Sequence, residues 1–121
     1  MIVLLLNNEY YYFCKKNKMI TVYIYLDSEE NADKLVKSLI TNDLLAHASI
    51  DIDNRSFSKI DGKLFQQTNV VITGQTKALL FNPLLEFIAR EGYSNTKVYS
   101  LPITQCNGNF GEIIRQNTQK I

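Results

Sequence analysis

The chain has 121 residues, a net charge of +1, 45% apolar and 21% charged side chains, the profile of one soluble domain with one hydrophobic core. So small a net charge excludes a global field that would draw nucleic acid or an anionic membrane. The two cysteines, Cys14 and Cys106, lie at opposite ends of the chain, which excludes a disulfide framework and points to a reducing compartment.

The opening run Met1 to Leu6 is too short for a signal-peptide core, lacks a basic start and leads to no small-residue cleavage site. No later stretch approaches the roughly 20 apolar residues that cross a bilayer, and a cytoplasmic location is expected. Residues 1–18 carry the runs Leu4-Leu5-Leu6, Tyr10-Tyr11-Tyr12 and Lys15-Lys16 without a clean period. They are read as an N-terminal extension, with disorder allowed for, and 19–121 as the domain.

From Ile20 to Leu26, β-branched, tyrosine and leucine side chains favour a strand. Its near-continuous apolarity suggests a central strand covered on both faces. Asp27-Ser28-Glu29-Glu30 then starts a helix, with Asp27 as the capping side chain and carboxylates at the positive end of the dipole. Ala32, Leu35, Val36, Leu39 and Ile40 follow at helical spacing, with Glu30–Lys34 and Asp33–Lys37 as i,i+4 pairs.

Ala46, Ala48, Ile50 and Ile52 alternate with His47, Ser49, Asp51 and Asp53, a strand with one buried and one polar face. The phase changes near Asp53-Asn54-Arg55, where a bulge is expected. Asp61-Gly62 makes a two-residue hairpin turn, and the return strand runs from Lys63 to about Thr76. A second helix holds Leu80, Phe81, Leu84, Leu85 and Ile88. Pro83 either follows an Asn82 cap or kinks an earlier start from Lys77. Gly92 stops the helix, 96–101 is the last strand, and a short helix over 109–116 closes the chain.

The order strand–helix–strand–strand–helix–strand predicts an α+β, ferredoxin-like βαββαβ domain with a long hairpin between its second and third strands and a short C-terminal helix. Each arm of that hairpin spans about 13 to 15 residues, or about 45 Å. The other strands are about half as long. The outer hairpin then lacks a partner within its own subunit, and edges of that kind are paired or protected. Self-association is the natural outcome.

These same stretches resemble the CutA divalent-cation tolerance family. The resemblance is carried by Asp27-Ser28-Glu29-Glu30, Leu44-Leu45-Ala46-His47, Arg55-Ser56, Asp61-Gly62-Lys63, Glu91-Gly92-Tyr93 and Leu101-Pro102-Ile103. It runs in one register over about 20–116. It implies a ferredoxin-like fold related to PII signalling proteins, a homotrimer built through the extended hairpins, and a role in tolerance of copper and other divalent cations. The chain departs from the family at several points. His47 stands where the family carries cysteine, and Ile60 where an aromatic precedes the turn. Glu91-Gly92-Tyr93 replaces His-Pro-Tyr, Thr96-Lys97 replaces Pro-Glu, and Ile113 takes the place of a tryptophan. Lys63 and Tyr93 are kept.

Three residues are candidates for a site. His47, the only histidine, offers an imidazole in place of thiolate for copper or another divalent cation such as zinc. Asp51 is about 13 Å away along the same strand, too far to share an ion, so further ligands must come from another strand or subunit. The plainer reading is a hydrogen-bonded strand histidine. Lys63 and Tyr93 are the candidates for a cleft between subunits that holds an anion or small polar ligand. Read singly, Lys63 is a solvated turn residue and Tyr93 a packing residue. Asp51 and Asp53 read as a wet strand face, and Cys106 as a loop thiol without an acid–base partner.

The function expected is that of a binding or scaffold module, not an enzyme: a homotrimeric protein associated with divalent-cation tolerance and binding. The alternative is a PII-like sensor or scaffold for a small anion or partner, with no metal role. Other users of the fold fit less well. Acylphosphatases need a basic, glycine-rich loop after the first strand, where this chain has Asp27-Ser28-Glu29-Glu30. Metallochaperones need Cys-x-x-Cys there. An RNA-recognition motif needs paired aromatics on both central strands, and Leu64 to Thr76 lacks its half.

Overall fold

The computed structural model describes residues 18–120; residues 1–17, most of the N-terminal extension, and residue 121 lie outside the described residues. The elements run β1 (Met19–Leu26), α1 (Glu29–Thr41), β2 (His47–Ile60), β3 (Lys63–Lys77), a 3-10 turn (Ala78–Leu80), α2 (Phe81–Arg90), β4 (Val98–Pro102) and α3 (Gly108–Gln116). The sheet has the order β2-β3-β1-β4, with every neighbouring pair antiparallel. This is the split βαβ order that the sequence predicts.

The pleat divides β1 cleanly. Ile20, Val22, Ile24 and Leu26 are buried, while the residues between them are half-buried. The buried set packs with Ala32, Leu35 and Leu39 of α1, Leu84 and Ile88 of α2, and Val70 and Ile72 of β3 in one core. Both long helices therefore cover one face of the sheet. Within one chain β1 is not fully buried on its second face, contrary to the reading of its apolar run.

α1 begins as its acidic opening predicts, but the capping side chain is Ser28, whose Oγ accepts from the Asn31 amide at 3.1 Å. Asp27 instead reaches the Asn31 side chain at 3.5 Å. The Glu30–Lys34 pair forms at 3.4 Å on the wet side. In α2, Pro83 is neither the first helical residue nor a kink. The 3-10 turn leads into Phe81, and Pro83 occupies the first helical turn, where amides have no intrahelical acceptor to lose.

The hairpin is as long as the patterning requires: β2 has 14 residues and β3 has 15. A one-residue bulge lies between Asp51 and Asn54, where the alternation changes phase. Ile52 falls in that irregularity and is 47% exposed, although its parity suggested burial. Asp61 and Gly62 both take positive φ, 52° and 77°, the left-handed pair that a tight hairpin turn demands. Pairing of β3 with β1 ends at Leu26–Val70. Residues 54–60 and 63–69 therefore continue as a two-stranded ribbon.

α3 lies over the other face of the sheet. Asn107 caps it, its Oδ1 accepting from the Phe110 amide at 2.8 Å. Phe110 meets His47 edge-on, with ring centroids 6.3 Å apart, and Ile114 is fully buried outside the main core. The tail is tied down by Lys77, whose Nζ donates to the Gln119 carbonyl at 2.8 Å, and by the Gln119 amide donating to the Asp43 carbonyl at 2.9 Å.

Candidate functional site

The face opposite α1 and α2 carries His47 and a set of polar and tyrosine side chains. Strand register places His47, Gln75 and Thr21 in one row and Ser49, Thr73, Tyr23 and Tyr99 in the next. Among the described residues, α3 covers one end of this face and no other element lies over the remainder.

His47 is exposed. Its Nδ1 lies 3.0 Å from Oε1 of Gln75, its partner across the β2–β3 ladder. With the amide oxygen facing the ring, the contact calls for the proton on Nδ1, the tautomer that leaves the lone pair of a neutral imidazole on Nε2. This is the second contact by which a ligating imidazole is held in orientation, and it equally satisfies a strand histidine with no ligand.

Among the described residues, no three or more His, Cys, Asp or Glu side chains converge closely enough to hold a metal ion. Asp51 and Asp53 line an open depression at the bulge with Ile52 and Asn54, away from His47. The donor set within one chain is therefore a single imidazole, below the three protein ligands that zinc takes even at an open site.

Lys63 and Tyr93 are not brought together within one chain. Lys63 is exposed at the start of β3, seven residues beyond Val70, the last β3 residue paired with β1, about 23 Å along the strand. Tyr93 packs half-buried against the main core, and its amide donates to the Ile88 carbonyl at 3.1 Å. Both residues belong to the end of the sheet from which the hairpin leaves.

A tyrosine cluster on the open face was not singled out as a unit by sequence reading. Tyr23 and Tyr99 stack with centroids 4.9 Å apart, and Tyr25 and Tyr99 at 6.2 Å. The Lys97 ammonium sits 3.9 Å from the centre of the Tyr25 ring, a cation–π contact. Hydrogen bonding with Tyr25, and then desolvation, hold the Tyr99 phenol above its ordinary pKa. The signal for this cluster lay in the pairing of β1 with β4, which a single strand's pattern does not reveal.

The outer ribbon carries four large exposed apolar side chains. Phe57 is 57% and Leu64 80% exposed, and Ile60 and Phe65 are also open. At its base the Asn69 amide donates to the Ser56 hydroxyl, which donates to Asn54 Oδ1 at 3.3 Å. A polar ladder thus fixes the point where the ribbon leaves the body.

Comparison with known proteins agrees with this architecture. The family model described as CutA1 divalent ion tolerance protein matches residues 20–117. The chain is similar to the crystal structure of CutA1 from Oryza sativa, with a TM-score of 0.79 and 24% identity over 86% of this chain and 96% of that one. It is also similar to the divalent cation tolerance protein from Thermus thermophilus, with a TM-score of 0.77 and 24% identity over 84% and 99%. The periplasmic divalent cation tolerance protein CutA from Archaeoglobus fulgidus gives 0.76 and 22% over 84% and 99%. No curated relative matches the chain in sequence. The match of the family model over most of the chain, on a sheet of this order and with this hairpin, identifies the chain as a member of the CutA1 divalent ion tolerance family.

Proposed function

We propose that the protein is a homotrimer that binds divalent cations, copper among them, and serves in tolerance of such ions as a binding protein without catalytic activity, in the cytoplasm. The observation that carries this reading is the unpaired ribbon of 54–60 and 63–69. Two-stranded ribbons are marginal in water, and this one exposes Phe57, Ile60, Leu64 and Phe65. Sister copies supply the missing cover. The open tyrosine face is a second surface for the same purpose.

His47 is the metal-binding residue in this reading, with Nε2 available and Nδ1 held by Gln75. The remaining donors come from neighbouring copies, since one chain supplies no group of three among the described residues. For location, no helix among the described residues is long and apolar enough to cross a membrane. Equilibrium dialysis with copper and zinc tests the cation role. Wild type should take up metal in proportion to assembled protein, and His47→Ala should lose most of it. Equal and negligible uptake by both would remove the metal role.

A second reading makes the same assembly a sensor or scaffold for a small anion or partner. Lys63 on the ribbon and Tyr93 beside the core lie at the same end of the molecule. A ring of copies carries each Lys63 toward a neighbour's Tyr93. A thermal-shift screen with nucleotides and organic anions should then give a stabilising hit that Lys63→Ala abolishes. No hit at millimolar concentration contradicts it.

A further inference from the structure

Cys14 and Cys106 stand near opposite ends of the chain, but the sheet joins the segments that carry them. Cys14 lies outside the described residues, four positions before Lys18. From Lys18 onward the backbone is held on both sides. The Lys18 carbonyl accepts from the Ala78 amide at 2.8 Å, and the Met19 carbonyl from the Ile103 amide at 2.9 Å. β1 and β4 are antiparallel neighbours, with Ile20 opposite Pro102. The segment that leaves β4 therefore starts beside the point where the chain enters β1. Cys106 is the third residue after Ile103 on that segment, and its thiol is free and exposed.

α3 turns back over the same corner. A Cβ built on Gly111 would meet Cys106 Sγ at 3.6 Å and the Met19 methyl at 3.7 Å. Thiol and methyl thus border one small space above the first residue of β1, so the Cys106 thiol stands over the strand's entry.

Reach decides whether Cys14 can meet it. Four residues of extended chain span up to about 14 Å, and a flexible tether of that length has a root-mean-square reach of about 11 Å. The gap from Lys18 past Met19 to Cys106 is of the same order, because the Met19 side chain already borders the thiol. Bridged cysteines need Cα atoms about 5.5–6 Å apart, which a short flexible tether can reach. Such a tether holds the two thiols at an effective concentration of about a millimolar or more.

We infer that Cys14 and Cys106 form a redox-dependent disulfide, made by exchange with a low-molecular-weight disulfide, that clasps the N-terminal extension to the corner between β1 and α3. One cysteine thiolate attacks the small disulfide, expelling one small thiol and leaving a mixed disulfide. The other cysteine attacks the protein sulfur of that bond and expels the second small thiol. Two protein thiols and one small disulfide become one protein disulfide and two small thiols, and the thiol protons pass to the expelled sulfurs. In a reducing compartment the bond stays open, so it is a switch and not part of a structural framework. Closure has a local consequence. Tyr10-Tyr11-Tyr12-Phe13 directly precedes Cys14, and Asn107, next to Cys106, caps the helix whose Phe110 meets His47. The clasp holds an aromatic run beside the helix start that touches the candidate ligand.

Equilibration of the full chain with reduced and oxidised glutathione, followed by tryptic peptide masses without reductant, tests it. Wild type should show one bond joining the peptides that carry Cys14 and Cys106, at the mass of one chain. Trypsin cuts after Lys15, so residues 1–15 should stay attached until reductant is added. Cys14→Ser and Cys106→Ser should each carry a single glutathione instead. In urea the same closure spans a loop of roughly 90 residues in place of a tether of about four, so the effective concentration of the two thiols should fall by at least about tenfold. An effective concentration unchanged in urea would show that the fold does not bring the thiols together, and would overturn the inference. Glutathione on both cysteines of the wild type, or a bond between copies, would overturn it equally.

Discussion

At the residue scale, two positions in β3 show how tightly the scaffold is specified. A Cβ on Gly74 would stand 2.7 Å from Leu45 Cδ1 and 3.1 Å from the His47 carbonyl oxygen. Leu45 is itself fully buried, so giving way would disturb the core around it. Gly74→Ala should therefore lower stability by about 1–3 kcal/mol, read as an earlier urea midpoint with an unchanged slope. An unchanged midpoint would mean that Leu45 repacks freely. Thr76 has the opposite sign. Its hydroxyl is buried and has no hydrogen-bond partner among the described residues, so Thr76→Val removes a desolvated polar group at nearly constant shape. A gain of roughly 1 kcal/mol is expected, and a loss in the same urea titration would show that the hydroxyl has a partner.

Glu112 supplies a pH-dependent contact on α3. Hydrogen bonding from Arg115 lowers its pKa from the ordinary 4.5. A lowered carboxyl contributes stability that is fully present above its unfolded pKa and is lost as pH falls through the folded value. Glu112→Gln should therefore trail wild type slightly at neutral pH, and the two thermal midpoints should converge in acid. A gap that widens in acid would contradict this. The effect is small because the pair is exposed.

Residue roles were only partly legible in sequence. His47 could be placed on the polar face of β2 by alternation alone. Its bond to Gln75 could not, because that needs the β2–β3 register across a bulge. Asp27 and Ser28 are both good caps, and only the backbone turn decides that Ser28 acts.

Among the elements, the strands and α1 were legible because each carries its own period. The bulge was legible because one extra residue reverses the parity of everything after it. The start of α2 was less so, since proline is tolerated anywhere in a first turn and its sequence leaves the exact position open. The docking of α3 was not legible. Its single buried residue, Ile114, becomes buried only against a sheet face whose composition depends on pairing between distant segments. Ile114→Ala should cost about 2–4 kcal/mol and loosen the Phe110 contact with His47. The imidazole resonances would then move in an NMR spectrum, whereas unshifted resonances would place His47 outside the influence of α3.

For the whole molecule, sheet order and family membership fix the scaffold, and in the proposed reading the ribbon decides how copies assemble. The body of the domain has a core of its own, to which no residue of 54–69 belongs, and it is expected to fold without the ribbon. Among the described residues each ribbon arm has one neighbour strand and an open edge, and large apolar residues stand on both faces, the features on which the proposed assembly rests. A variant with 55–68 replaced by a two-residue turn should keep its helix and sheet content and become monomeric. Retention of the trimer would assign assembly to the tyrosine face instead. The same ribbon carries Lys63, so loss of assembly should remove cation uptake and anion response together.

Sedimentation velocity on the full chain at micromolar concentration tests the central claim most directly. A single species of three times the chain mass is the expected result. A compact, folded particle of one chain mass at that concentration would show that the ribbon is stable unassisted, and would contradict the account.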